Sequence, residues 1–239
     1  MTRARETVLE VTNLTKTYNI KSYEGWPPFK TPPVRVLKGV SFSASQGESI
    51  GLLGANGAGK SSLLRLLSGS AFPSSGTVLA ASKPRLLNLS KALLPRLSVL
   101  ENVELFFLGA GLAKREAVAK SRQLIELAEL GEKTHLPYGT LSTGQAARIN
   151  FFVATIDSPE ILLLDELLSV TDRRSAAFVQ EWLMAAFGSR TTTILASHSE
   201  RVILDNCTRA IVLKDGHIVY DGATPEALDF YRGSERREP

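Results

Sequence analysis

Gly54, Ala55, Asn56, Gly57, Ala58, Gly59, Lys60 and Ser61 stand in an order that fits G-x-x-x-x-G-K-[ST]. Chemically, such a run is a phosphate cradle. Glycines let successive backbone N–H groups turn inward around a β-phosphate, and the start of the following helix adds favourable partial charge. Lys60 is placed to reach the β- and γ-phosphates, and the Ser61 hydroxyl to coordinate Mg²⁺. Ser62, next in the same turn, belongs with these binding residues. The setting is the one the pattern requires: residues 48–53 form a short apolar strand entering the loop, and residues 61–67 have helical periodicity leaving it. A phosphate loop alone leaves kinases, GTPases and ATPases open.

The second informative run is Leu141-Ser142-Thr143-Gly144-Gln145. It resembles the Leu-Ser-Gly-Gly-Gln signature that opens a helix in the nucleotide-binding subunits of ATP-binding cassette (ABC) transporters. Further along, Ile161-Leu-Leu-Leu-Asp165-Glu166 looks like that family's Walker B strand, and Ile194-Leu-Ala-Ser-His198 like the strand that ends in its switch histidine. The resemblance spans residues 8–222, with the motifs in family order. Asp165, at the end of a buried strand, can hold the Mg²⁺ shell, and Glu166 can orient or deprotonate the water that attacks the γ-phosphate. The resemblance implies that His198 touches the γ-phosphate, that Tyr18 stacks on adenine and that Asp172 lies in the D-loop. It also implies that Ser142, Gly144 and Gln145 close over ATP bound to a second copy, so two chains form a head-to-tail homodimer around two ATP molecules. The partner in the family is an integral-membrane permease.

Departures from the family pattern narrow the resemblance. No glutamine lies between Gln46 and Gln123, where the family carries the one that senses Mg²⁺; counting back from Leu94-Pro-Arg-Leu-Ser-Val-Leu-Glu-Asn102 puts Asn88 in its place. Asp165-Glu-Leu-Leu-Ser-Val-Thr-Asp172 and Ser197-His-Ser-Glu-Arg201 are similar to subunits that export capsular polysaccharide, O-antigen or teichoic acid. That subgroup implies a lipid-linked glycan as cargo. Residues 19–33, rich in proline and carrying Trp26 and Phe29, sit where the subgroup has an extra segment, and are expected to contact the membrane partner. Thr171, and Gln145 where many of these exporters have Met, are mismatches. The carbohydrate-binding domain appended to some O-antigen exporters is not expected. Export of a drug or lipid is the alternative, and a soluble cassette ATPase acting on ribosomes or DNA a more distant one. A non-hydrolysing regulatory cassette is disfavoured by Lys60, Glu166 and His198.

These residues need a scaffold of buried strands. Residues 8–18 and 34–42 mix β-branched, apolar and polar positions as a small antiparallel sheet would. Short apolar strands at 48–53, 161–164, 191–196 and 209–213 alternate with helices, including 175–187, and Lys214-Asp-Gly216 reads as a hairpin turn. The stretch 99–130 is expected to be largely helical, with Leu124, Ile125, Leu127, Ala128 and Leu130 on one apolar face. The alternation predicts an α/β fold with a mainly parallel sheet and helices on both faces. The family resemblance implies a P-loop NTPase with a RecA-like core, a small antiparallel β subdomain and a helical signature subdomain at about 88–158, all within one ATPase domain over 1–239.

Composition excludes other classes. In 239 residues, 44% are hydrophobic and 22% charged, the balance of a globular protein rather than a disordered or collagen-like one. No apolar run approaches the roughly 20 residues of a membrane span. The polar start Met1-Thr-Arg-Ala-Arg-Glu6 lacks the apolar stretch of a signal peptide, so a cytoplasmic location on the inner face of the membrane is expected. The net charge of +4 is spread out; Arg173-Arg174 and Arg236-Arg237 are only pairs, so nucleic acid is not an expected partner. Cys207, the single cysteine, is expected to fill core space, and His135 and His217 to lie on the surface.

Overall fold

The computed structural model describes residues 6–19, 32–87, 93–156, 159–165, 191–197 and 199–235. Within them the chain forms two compact units, the first drawn from residues 1–86, 160–165 and 189–239 and the second containing Leu87–Pro159.

In the first unit, β1 (Thr7–Tyr18), β2 (Val34–Ser45) and β4 (Ser75–Ala80) form an antiparallel sheet in the order β2-β1-β4. Tyr18 pairs with Val34, so the chain leaves this sheet after β1 and re-enters beside the same residue. Residues 20–31, most of the expected insertion, lie outside the described residues. A second sheet runs β5-β6-β7-β3-β8-β9, with β3 (Ser49–Leu53), β5 (Arg85–Leu87), β6 (Ile161–Asp165), β7 (Thr192–Ala196), β8 (Arg209–Lys214) and β9 (His217–Ala223). Its centre is parallel: Leu163 pairs with Ile194, and Gly51 with both Leu195 and Ala210. Every residue of β3 and β7 is buried, which is why these strands read as apolar runs rather than alternating ones.

Strands β8 and β9 are antiparallel and are closed by Asp215 and Gly216, both at positive φ (50° and 81°), as a two-residue hairpin turn requires. The Gly216 carbonyl accepts the Lys38 N–H at 2.8 Å, tying the hairpin to β2. Helix α1 (Lys60–Leu67) buries Leu63, Leu64, Leu66 and Leu67 in one core with Leu9, Leu14, Leu37, Ile50, Leu163, Ile194 and Ile211. Each such leucine contributes about 1.5–3 kcal/mol relative to exposure. Two helices late in the chain, α5 (Glu200–Asn206) and α6 (Thr224–Glu235), complete the unit. Cys207 is buried, and burial pushes its thiol pKa up to about 12.

The second unit is helical. The stretch expected to be largely helical from 99 to 130 divides into α2 (Val99–Gly109) and α3 (Lys114–Leu127), because Gly111 takes φ 90°, a left-handed conformation that ends α2. Leu124, Ile125, Ala128 and Leu130 are buried, but Leu127 is exposed, so the apolar face is narrower than the sequence implies. Ser98 and Glu101 close a capping box at the start of α2. Buried Asn102 donates to the carbonyls of Leu94, Leu97 and Ser98 and accepts the Leu94 N–H, which fixes the segment before the helix. Two 3₁₀ turns, Gly131–His135 and Tyr138–Thr140, lead into α4 (Thr143–Thr155).

The strands β4 and β5 and the helices α5 and α6 are not apparent from periodicity. Nearly all of β4 is exposed, so its side chains carry no alternation. His135 and His217 are exposed. The helix expected at 175–187 lies outside the described residues. No helix among the described residues is long and apolar enough to cross a membrane.

Candidate functional site

The loop between β3 and α1 is shaped by three glycines in backbone conformations that L side chains rarely adopt: Gly54 at φ 150°, Gly57 at 85° and Gly59 at 109°. Their reasons differ. A Cβ on Gly54 would strike the Leu213 carbonyl, and one on Gly59 would meet Leu37 Cδ2 at 2.8 Å, so β8 and β2 press on the two flanks of the loop. At Gly57 nothing lies within 4 Å, and the tip formed by Ala55, Asn56 and Gly57 is exposed while Ala58 and Gly59 are buried. The loop is clamped at its base and open at its tip.

Lys60, only 6% exposed, bends across this curve and donates to the carbonyl oxygens of Gly54 at 2.5 Å and Ala55 at 3.1 Å. Its ammonium is therefore held inside the concavity, at the N-terminus of α1. The Ser61 hydroxyl donates to Asp165 Oδ1 at 3.1 Å. The parallel register of β6 with β7 and of β7 with β3 carries Asp165 to the same C-terminal end of the sheet's strands as the loop.

Mg²⁺ prefers hard oxygen donors, usually one or two carboxylates with phosphates and retained waters. A hydroxyl and a carboxylate 3.1 Å apart beside a phosphate loop fit that donor set. No group of three His, Cys, Asp or Glu side chains among the described residues could hold a metal. A cavity of about 300 Å³ is lined by residues 55–58, by residues 212–215 and by Tyr231 and Ser234. It includes neither Lys60, Ser61 nor Asp165, so it lies apart from the Ser61–Asp165 pair.

Tyr18, half-buried at the end of β1, stands beside α1: its hydroxyl is 3.4 Å from Ser62 Oγ. The Lys16 ammonium lies over its ring, 5.0 Å from the centroid, and donates to the Phe72 carbonyl at 2.7 Å. Sequence reasoning missed Lys16. Its only signal was its place two residues before Tyr18, on the same side of the strand.

In the second unit the signature residues form a helix start. Ser142 is the N-cap of α4; its hydroxyl accepts the Gln145 N–H at 3.3 Å, and Gln145 Oε1 accepts the Ser142 N–H at 3.2 Å. The same Oε1 accepts from Lys133 Nζ at 3.1 Å. Thr143 stands where the resembled signature has glycine, and neither Thr143 nor Gly144 has a positive φ, so threonine fits the helix without strain. The exposed Ser142 hydroxyl and the first N–H groups of α4 make a donor surface suited to an anion. Asn88, Glu166, Asp172 and His198 lie outside the described residues.

Fold and site together define a P-loop nucleoside triphosphatase of α/β type with a small antiparallel sheet and a helical signature unit. A family model described as ABC transporter matches residues 37–169. Similar curated proteins include the teichoic acids export ATP-binding protein TagH of Staphylococcus haemolyticus, 32% identical over 86% of this chain and 78% of its own length. TagH of Staphylococcus epidermidis is 30% identical over 93% of this chain and 87% of its own. TagH of Bacillus cereus is 35% identical over 82% of this chain, which spans only 36% of that longer protein. Among solved structures, a dimeric post-hydrolysis state of the ATP-binding cassette MJ0796 bound to ADP and Pi superposes with a TM-score of 0.72, at 24% identity, over 90% of this chain and 98% of that one. The chain belongs to the ABC transporter family, in which it is an ATP-hydrolysing cassette.

Proposed function

We propose that this chain is the ATPase subunit of an exporter of a lipid-linked cell-surface polysaccharide of the teichoic acid class, working with a separate integral-membrane permease. The observation that carries this reading is the 30–32% identity to the staphylococcal teichoic acid export subunits over most of both chains. The Asp165–Asp172 and Ser197–Arg201 runs and the segment 19–33 point the same way. The subunit lies on the inner face of the membrane, where residues 19–33 meet the permease.

In this reading ATP lies along residues 54–62, with adenine on Tyr18 and the γ-phosphate near Lys60 and His198. Ser61, Asp165 and Asn88 would hold Mg²⁺, whose charge would offset negative charge on the transferring phosphoryl group. Glu166 takes the proton of the attacking water. Ser142, Gly144, Gln145 and Asp172 of one chain complete the site of a second copy. The clamped loop base and the inward ammonium supply electrostatic preorganisation, the main source of rate enhancement where phosphoryl transfer needs little covalent help.

The test is depletion of this chain in its own cell. Surface polysaccharide should fall while lipid-linked precursor accumulates inside. Normal surface polymer with a lost drug resistance or an altered lipid distribution would instead favour the alternative exporter classes.

A further inference from the structure

We propose that Lys16 is a positioning residue for the base of the bound nucleotide, acting through Tyr18. This rests on the reading of Tyr18 as the adenine-stacking ring. Two contacts fix the lysine. Its Nζ donates to the Phe72 carbonyl at 2.7 Å and lies 5.0 Å from the Tyr18 ring centroid. The carbonyl comes from the segment joining α1 to β4, where Ser74 N–H donates to the Thr15 carbonyl and the Thr17 N–H to Ser74 Oγ, so that segment is itself pinned to β1.

The consequence is directional. An aromatic ring has two faces, and a cation held over one leaves the other for a base. The ring edge is fixed as well, because the Tyr18 hydroxyl reaches Ser62 in the first turn of α1. Lys16 thus anchors the platform from one side and Ser62 from its rim, at a set distance from the phosphate loop. The ammonium also draws electron density from the ring, which favours stacking of an electron-rich purine on the free face. The Lys16 contacts run to Phe72 and Tyr18 and not to residues 54–61, so its effect falls on the base rather than on the phosphates.

The experiment compares affinity for ATP with that for inorganic triphosphate, by calorimetry, in Lys16→Met, Lys16→Arg, Tyr18→Ala and the Lys16→Met/Tyr18→Ala double variant. Lys16→Met should weaken ATP binding about two- to fivefold, leave triphosphate binding unchanged, and raise KM for ATP without lowering kcat. Lys16→Arg should restore wild-type values. In the Tyr18→Ala background the Lys16→Met effect should vanish. Tighter ATP binding in Lys16→Met would overturn the inference, since the lysine would then be competing with the base for one face. Equal losses for ATP and triphosphate, or a loss that persists without the ring, would also overturn it. If Tyr18→Ala itself left ATP affinity unchanged, the stacking role of Tyr18 would fall and Lys16 with it; weakened binding in Tyr18→Ala alone would remove only Lys16.

Discussion

Ser61 Oγ donates to Asp165 Oδ1 at 3.1 Å, joining the first turn of α1 to the end of β6 across 104 residues of sequence. One oxygen comes from the helix turn that follows the glycine-rich loop and the other from a strand in the interior of the sheet, so their meeting depends on the parallel register rather than on local geometry. Asp165→Asn should raise the Mg²⁺ concentration needed for half-maximal ATPase activity by about tenfold or more, with Ser61→Ala giving a smaller rise. With both donors on one ion, as proposed, the double variant should lose less than the product of the single losses. An unchanged Mg²⁺ titration in Asp165→Asn would remove it from the metal site.

Lys60→Met should weaken ATP binding by more than about tenfold, because it removes the ammonium from the loop's concavity while keeping a stem that fills the same space. Calorimetric titration checks this. The fold should survive, since the methionine stem keeps the packing of the buried lysine and the Ala55 carbonyl lies in the exposed tip that water can reach.

Ser142 caps α4, and in the proposed function it also closes over the ATP of a second copy. Ser142→Ala should lower stability by about 1 kcal/mol through loss of the α4 cap, and also reduce turnover. Ser142→Asp should recover the cap, seen as a restored denaturation midpoint, yet keep turnover low because it sets a negative charge against phosphate. Recovery of turnover in Ser142→Asp would leave the serine with a capping role alone.

The Cys207 thiol, buried and raised to about 12, should react with disulfide reagents only after unfolding. The folded state keeps it neutral, whereas in the unfolded chain it ionises near its ordinary value of about 9. Its contribution is therefore complete below about pH 9 and lost as pH rises toward 12, and Cys207→Ala should flatten that part of the stability profile. Rapid modification of the native protein would contradict its burial.

The phosphate loop and Asp165 were legible because each is a local pattern: glycines where the backbone turns, and an acidic residue ending an apolar run. Apolar runs also revealed β3, β6 and β7, since strands buried on both faces need no alternation. The exposed β4 offers no such pattern. The break at Gly111 was hidden inside a helical periodicity that continues on both sides of it. Lys16 was missed for a different reason. Its contact with Phe72 arises from the pairing of β1 with β4, where Thr15 faces Ser75, and no spacing along the chain encodes that pairing.

ATP hydrolysis at a site shared between two copies is tested most directly on Glu166→Gln, using the full chain with ATP and Mg²⁺. Turnover should fall by about 10² or more while ATP binding is kept. Light scattering should show a monomer without nucleotide and a dimer with ATP, stable because the bound nucleotide is not hydrolysed. A variant that turns over ATP at the wild-type rate and stays monomeric at saturating ATP would contradict both the assignment of the base and the shared site.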